Sequence, residues 1–283
     1  MLASLALIAL LQDVPRFPPH YAAQPTECPV GGEKFNAPAL MHYSTYGAMP
    51  DGQPFGSIEF PILMGECPGN GLPLFKKFSA EEVGKLGPLL ASDAYKAMRG
   101  TETPYYRAHW LANSIGDSES ATWLLLSATW EAKNADPESA QAKRYNAAFA
   151  ALASKAAADS KSLESVVLRL RAANALRELG RFDEAEALRA SVIIAPDAGG
   201  ADASAKRNRE GWTGFRDSLA APIARRDAAR VPIDLLEPRQ AAFRCLGQDG
   251  KPPVLSAFEQ EYCARPEIAK QVEDVRALRK KYQ

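Results

Sequence analysis

Between Ser79 and Pro196 the chain carries helix starts and stops at short intervals, and this limits the fold more than any other feature. "SAEEVGKLGPLLASDAYKAMRG" opens with Ser79 as a cap and Glu81 and Glu82 in the first turn, where carboxylates meet the positive end of the helix dipole. "PYYRAHWLANSIGDSESATWLLLSATWEAKN" breaks at Gly116-Asp117 and gives two helices. "DPESAQAKRYNAAFAALASKAAADS" predicts a third, with Asp136 as cap and Pro137 at the first helical position, where a missing N–H does no harm. "SLESVVLRLRAANALRELGRFDEAEALRASVIIAP" predicts two more, hinged at Gly180. Helix pairs of this kind cannot bury their apolar faces alone and must stack on neighbours. The expected class is therefore mainly α. The full length of 283 residues suits one large domain or two modest ones.

The N-terminal quarter is different. "ECPVGGEKFNAPAL" (27–40) and "ECPGNGLPLF" (66–75) each run Cys-Pro, two residues, Gly, the outline of a zinc-binding knuckle. Gly31 and Asn70 stand where each second cysteine would be. Structural zinc takes four ligands, usually thiolates and imidazoles. Two thiolates do not suffice, and His42 is far from knuckle spacing, so neither a metal nor another cofactor is expected. The four cysteines are Cys28, Cys67, Cys245 and Cys263, and four allow three pairings. Residues 2–11 of "MLASLALIALLQDVPRFPPHY" are uninterrupted apolar or small residues, too few to span a bilayer. They fit the apolar region of a secretory signal peptide over residues 1–12, although no Lys or Arg precedes them and no Ala-x-Ala site follows. The alternative is a helix packed on the core. Export makes a periplasmic or secreted location the expectation, and disulfides with it. No other segment is apolar enough to cross a membrane, so no membrane insertion is expected after signal cleavage.

In the order of its parts the chain resembles an uncharacterised bacterial family whose members begin with a pair of Cys-Pro-x-Cys-Gly knuckles and continue into tetratricopeptide-like helices. The resemblance spans roughly residues 26–195 and rests on "CPVGGEKFNAP", "GECPGNGLPLFKKFS" and the helices beyond. Ala173, Leu176, Gly180, Phe182 and Ala185 occupy the small, large, turn, aromatic and small positions of a tetratricopeptide repeat. "GDSESA" (116–121) echoes that turn 64 residues upstream, near two repeats of about 34. In a ribbon the knuckles face one another across the metal, so the resemblance implies a Cys28–Cys67 disulfide in place of zinc; free thiols and a residual metal site are the alternatives. Cys245 and Cys263 then pair by default. The implied fold is a set of tetratricopeptide-like helical hairpins behind a small loop-rich, partly β, ribbon-like segment without metal. The expected divisions are 1–12, 13–78, 79–195 and 196–283. Within them, Pro50-Asp51-Gly52 predicts a turn and "GSIEFPILMG" a short strand. Residues 196–211 read as an exposed loop, a helix follows near 212–229, and Asp249-Gly250 marks another turn. Ile268, Val272, Val275 and Leu278 form one helical face.

Lys+Arg and Asp+Glu both number 34, which leaves no broad field to draw nucleic acid or anionic lipid. Arg225, Arg226 and Arg230, and the terminal "RALRKKYQ", are short basic runs of the kind that form solvated helix faces. No serine elbow, zincin, phosphate-loop or dinucleotide motif occurs, and the histidines are only His20, His42 and His109. His42 with Cys28 or Cys67 would make a nucleophile pair, but staples suit those cysteines better. His109 falls among helix-packing positions, and Glu102, Asp117 and Glu119 sit at helix ends, where capping accounts for them. No catalytic residue is assigned. In tetratricopeptide proteins the first helix of each pair lines a concave face, so the resemblance places Tyr106, Trp110, Asn113, Asn174 and Arg177 there, an aromatic, amide and Arg mixture suited to peptide. Tyr106 and Trp110 can equally be core. The expectation is an exported adaptor or assembly factor that binds a protein or peptide. Its rival is a hydrolase or other enzyme with a site between the N-terminal segment and the helices.

Overall fold

The computed structural model describes residues 17–247 and 251–282, so the expected signal segment and the Asp249-Gly250 turn lie outside the described residues. The chain is mainly helical, with two small two-stranded sheets. It divides into two compact units: the first runs through Tyr46 and resumes over Gly56–Leu124, and the second holds Gly47–Phe55 and the chain from Leu125. The cut falls inside one helix rather than at the composition changes near residues 78 and 195.

In the first unit, β1 (Tyr21–Glu27) and β2 (Lys34–Leu40) pair antiparallel, from Tyr21 opposite Leu40 to Glu27 opposite Lys34. The two Cys-Pro turns have the same hydrogen bonding. Cys28 N–H donates to Glu33 O (2.8 Å) and Gly32 N–H to Cys28 O (3.1 Å). Likewise Cys67 N–H donates to Leu72 O (3.0 Å) and Gly71 N–H to Cys67 O (2.8 Å). Gly32 (φ 69°) and Gly71 (φ 70°) close the turns in the left-handed region, where a side chain is disfavoured. Three helices follow: α1 (Ala80–Ala91), α2 (Asp93–Thr101) and α3 (Pro104–Ile115). Ser79 and Glu82 form a capping box on α1, Ser92 and Thr103 cap the next two, and Gly116 (φ 92°) ends α3. Lys76 donates to both Glu82 and Asp117 at 2.8 Å, tying the starts of α1 and α4 together. Leu72, Leu86, Leu90, Tyr95, Leu111 and Ile115 pack around Cys28 and Cys67 as the core. The expected strand over 56–65 does not form: Pro61 has no N–H for a ladder, and the extended pairing is confined to β3 (Thr45–Ala48) with β4 (Pro54–Gly56).

The tip of that hairpin, residues 47–55, belongs to the second unit. There Pro50-Asp51-Gly52 makes the expected turn, with Gly52 at φ 87° donating to Met49 O at 2.8 Å. α4 (Ser118–Ala135) crosses into this unit and is followed by α5 (Ala140–Ala153), α6 (Leu163–Glu178) and α7 (Phe182–Ser191). α5 starts later than expected because Asp136 spends its carboxylate on a turn, accepting from Glu138 N–H (2.9 Å), and Ser139 becomes the cap. α6 and α7 form a hairpin around Gly180 (φ 73°), and α6 also packs on α5 and on α8 (Ala203–Ser218). α8 overturns the loop expected over 196–211: Asp202 accepts from Ser204 and Ala205 N–H and caps a helix that begins at Ala203.

After the short α9 (Ala220–Ala224) and a 3₁₀ turn at Ile233–Leu235, the chain ends in α10 (Pro238–Leu246), α11 (Ala257–Cys263) and α12 (Pro266–Tyr282). Ile233, Ala241 and Ile268 centre a second small core, with Val272 against it. Val275 is buried too, whereas Leu278 ends the stripe 37% exposed. Among the described residues no helix is long and apolar enough to cross a membrane.

Candidate functional site

Both cysteine pairs stand at disulfide distance. Cys28 and Cys67 have Cα atoms 5.7 Å apart, and Cys245 and Cys263 5.8 Å. The positions that lack a knuckle cysteine also face one another: a Cβ added to Gly31 would lie 4.0 Å from Asn70 Nδ2. Asn70 instead joins the turns, donating to Val30 O (2.8 Å) and accepting from Leu72 N–H (2.9 Å). Among the described residues no group of three or more His, Cys, Asp or Glu converges as a metal site would require.

The five residues expected to meet a partner fall in different units and differ in burial. Tyr106, Trp110 and Asn113 are on α3 in the first unit. Only Asn113 is exposed, while Trp110 packs against the Cys28–Cys67 core with its ring 6.0 Å from Tyr95. Tyr106 is half-buried beside His109, whose Nδ1 meets Ala121 O at 2.8 Å and whose pKa burial lowers despite that bond. Asn174 and Arg177 are on α6 in the second unit and are wholly buried, which takes both out of any surface groove. Arg177 donates from Nε and Nη2 to Asn174 Oδ1 (3.1 and 2.9 Å) and from Nη1 to the carbonyls of Asp227 and Ala229. It braces the loop after α9 from inside.

These two residues belong to a buried polar layer that the sequence did not announce. Lys133 on α4 donates to Glu178 Oε2 (2.6 Å) and lies 3.3 Å from Asp51 Oδ2. Arg230 Nε reaches the same Asp51 oxygen at 3.1 Å, and its Nη2 bonds Gln53 Oε1. Asn174 Nδ2 donates to Glu178 Oε1 at 2.7 Å. Burial would raise the Asp51 carboxyl, but the Lys133 and Arg230 cations and the Gln53 N–H hold it below its ordinary value. The carboxylates in this layer are thus fully engaged.

Arg171, one turn back on α6, is not paired with them. It is half-buried and donates from Nη1 to Pro50 O (2.5 Å). Its guanidinium lies 5.0 Å from the ring centres of both Trp212 and Phe215 on α8. Gly52 makes room for it: a Cβ there would come within 2.7 Å of the guanidinium carbon. Burial pulls its pKa down to about 10, against weaker support from Asp51 and Glu178. It is still a cation at neutral pH. Arg171, Trp212 and Phe215 line an open pocket of about 320 Å³ with Met49, Pro50, Arg207, Asn208 and Leu235.

Compared with known proteins, the chain matches no family model, no curated protein and no solved structure. The pocket residues were legible only in part. Arg171 alternates with Arg169 between the buried Leu168, Leu170 and Ala172, and nothing local in the sequence tells the pocket arginine from its exposed-side neighbour, which bonds Ser191.

Proposed function

We propose that this protein is an exported helical-hairpin protein that acts as an adaptor or assembly factor, holding a segment of a partner protein in the pocket of its second unit. The apolar run over residues 2–11 supports export, and two cysteine pairs at disulfide distance suit an oxidising compartment, periplasmic or extracellular. Ala173, Leu176, Phe182 and Ala185 are buried in the α6–α7 hairpin around Gly180, in keeping with the tetratricopeptide-like reading. The observation that carries the proposal is the open pocket in which Arg171, bonded to no carboxylate among the described residues, stands against Trp212 and Phe215. Trp and Arg dominate binding energy at protein interfaces, and a pocket that exposes both is how such anchors present themselves.

The test is cross-linking and recovery of the tagged protein from the exported fraction of its native cell. Wild type should yield a defined partner; Arg207→Glu should lose it while keeping its melting transition, and Trp212→Ala, whose ring also packs on Val166, Leu170 and Val192, should lose it with a lowered but still cooperative melt. The proposal is lost if both pocket variants retain the partner, or if none is recovered. N-terminal sequencing of the same material should find residues 1–12, or slightly more, removed. Intact Met1 protein in the cytoplasm would end the export reading.

A further inference from the structure

We infer that the Arg171 pocket recognises a carboxylate carried on an apolar, aromatic-sized body. This rests on the binding-protein reading above and names what the pocket holds. The first ground is the state of Arg171. A guanidinium has five N–H donors, and here one bond, to Pro50 O, is made within the described residues. The two ring faces at 5.0 Å attract the cation but accept no N–H bond in its plane.

The second ground is the charge around it. Lys133, Arg171, Arg177 and Arg230 are four cations gathered about two buried carboxylates, Asp51 and Glu178. Both carboxylates are bonded by Lys133, Arg230 and Asn174, and neither is bonded to Arg171. Arg171 is the member of this group that lines the open pocket without a carboxylate bonded to it, and burial holds it well below the usual guanidinium value. An anion arriving there meets a partly desolvated guanidinium whose remaining N–H donors carry no carboxylate.

The third ground is the walls. Trp212, Phe215, Met49, Pro50 and Leu235 are apolar, while Arg207 and Asn208 stand exposed at the rim. A volume of about 320 Å³ is at the small end of ligand sites, which run from about 300 to 1,000 Å³. One half-buried guanidinium over an apolar floor, with Arg207 only at the exposed rim, fits a monoanion with an attached ring or branched chain better than a phosphate dianion. Both a free aromatic acid and the C-terminal residue of a peptide carry that chemistry.

Calorimetric titration of the intact oxidised protein separates the cases. N-acetyl-L-phenylalanine should bind, and its C-terminal amide, the same body without the charge, should bind at least tenfold more weakly. Arg171→Met, which keeps an apolar stem, should erase that difference, and Arg207→Ala should weaken the acid several-fold. Because Arg171 also holds Pro50, the acid and amide pair on wild type decides the matter if Arg171→Met does not fold. Equal binding of acid and amide, or no binding of either at millimolar concentration, overturns the inference. Gly-Gly-Gly-Phe with a free and an amidated terminus then identifies the source. Binding of the free-terminus peptide supports the carboxylate site and the adaptor reading together. Binding of the free acid alone keeps the site and removes it from the adaptor.

Discussion

At Trp110 two expectations, partner contact and core, give opposite outcomes on truncation. The residue packs half-buried against the cluster around Cys28 and Cys67. Removing a fully buried Trp costs about 3–5 kcal/mol, so a half-buried one should cost about 2 kcal/mol. Thermal melting of Trp110→Ala should show that loss with partner recovery unchanged; an unaltered melt with lost partner would return the groove to α3. Asp51 makes a second residue-scale case. Its folded carboxyl lies below the ordinary value, so its stabilising contribution is present above the unfolded pKa near 4 and fades as pH falls through the folded one. Asp51→Asn should therefore lose about 3–5 kcal/mol at pH 7, where Arg230 is left without its carboxylate and Lys133 keeps Glu178 alone. Its acid limb should also be flatter than that of wild type. Urea melts at pH 7 and pH 3 check both statements, and equal pH slopes would show that Asp51 is not the group titrating.

The helices show which local rules survive folding. Ser79, Gly116 and Gly180 were legible because each does its work within a few residues: a capping box, an αL ending and a hairpin turn. Asp136 was misread because a turn and a cap compete for the same carboxylate, and Ser139 three residues on completes the better cap. α8 was misread because "PDAGGADASAKRNREG" is rich in turn formers. Its helix starts at Asp202 all the same and is tied from beyond its first turn, with Arg209 donating to the carbonyls of Ala198 and Gly200. The candidate site was less legible than the fold. Arg171, Gly52 and Trp212 come from separate segments, and no local pattern announces that they meet. Gly180→Ala tests the element scale. At φ 73° a Cβ meets the following carbonyl, so the change should cost about 1–2 kcal/mol, read as a lower urea midpoint with unchanged slope. No change in midpoint would mean that the α6–α7 turn can re-form without its left-handed residue.

Over the whole chain, each compact unit holds one cysteine pair, Cys28–Cys67 in the first and Cys245–Cys263 in the second. That arrangement predicts the order of their contributions. Cross-linking removes loop-closure entropy from the unfolded chain, and the effect grows with the logarithm of loop length. The first pair is separated by 39 residues and the second by 18. On the chain-entropy scale the longer loop is worth more by about 0.7 kcal/mol, on a total of about 3–4 kcal/mol each. The first pair is also buried, so replacing it leaves a gap in the core that adds to the loss. Cys28→Ala with Cys67→Ala should therefore lower stability more than Cys245→Ala with Cys263→Ala. Non-reducing mass analysis of wild type should find no free thiol. Full reduction of wild type should then fall below either double variant, because it opens both loops. A first-pair variant as stable as wild type would mean that the turns at Cys28 and Cys67 hold their place through backbone bonds and Asn70 alone, and that the surviving cysteines are passengers on the fold.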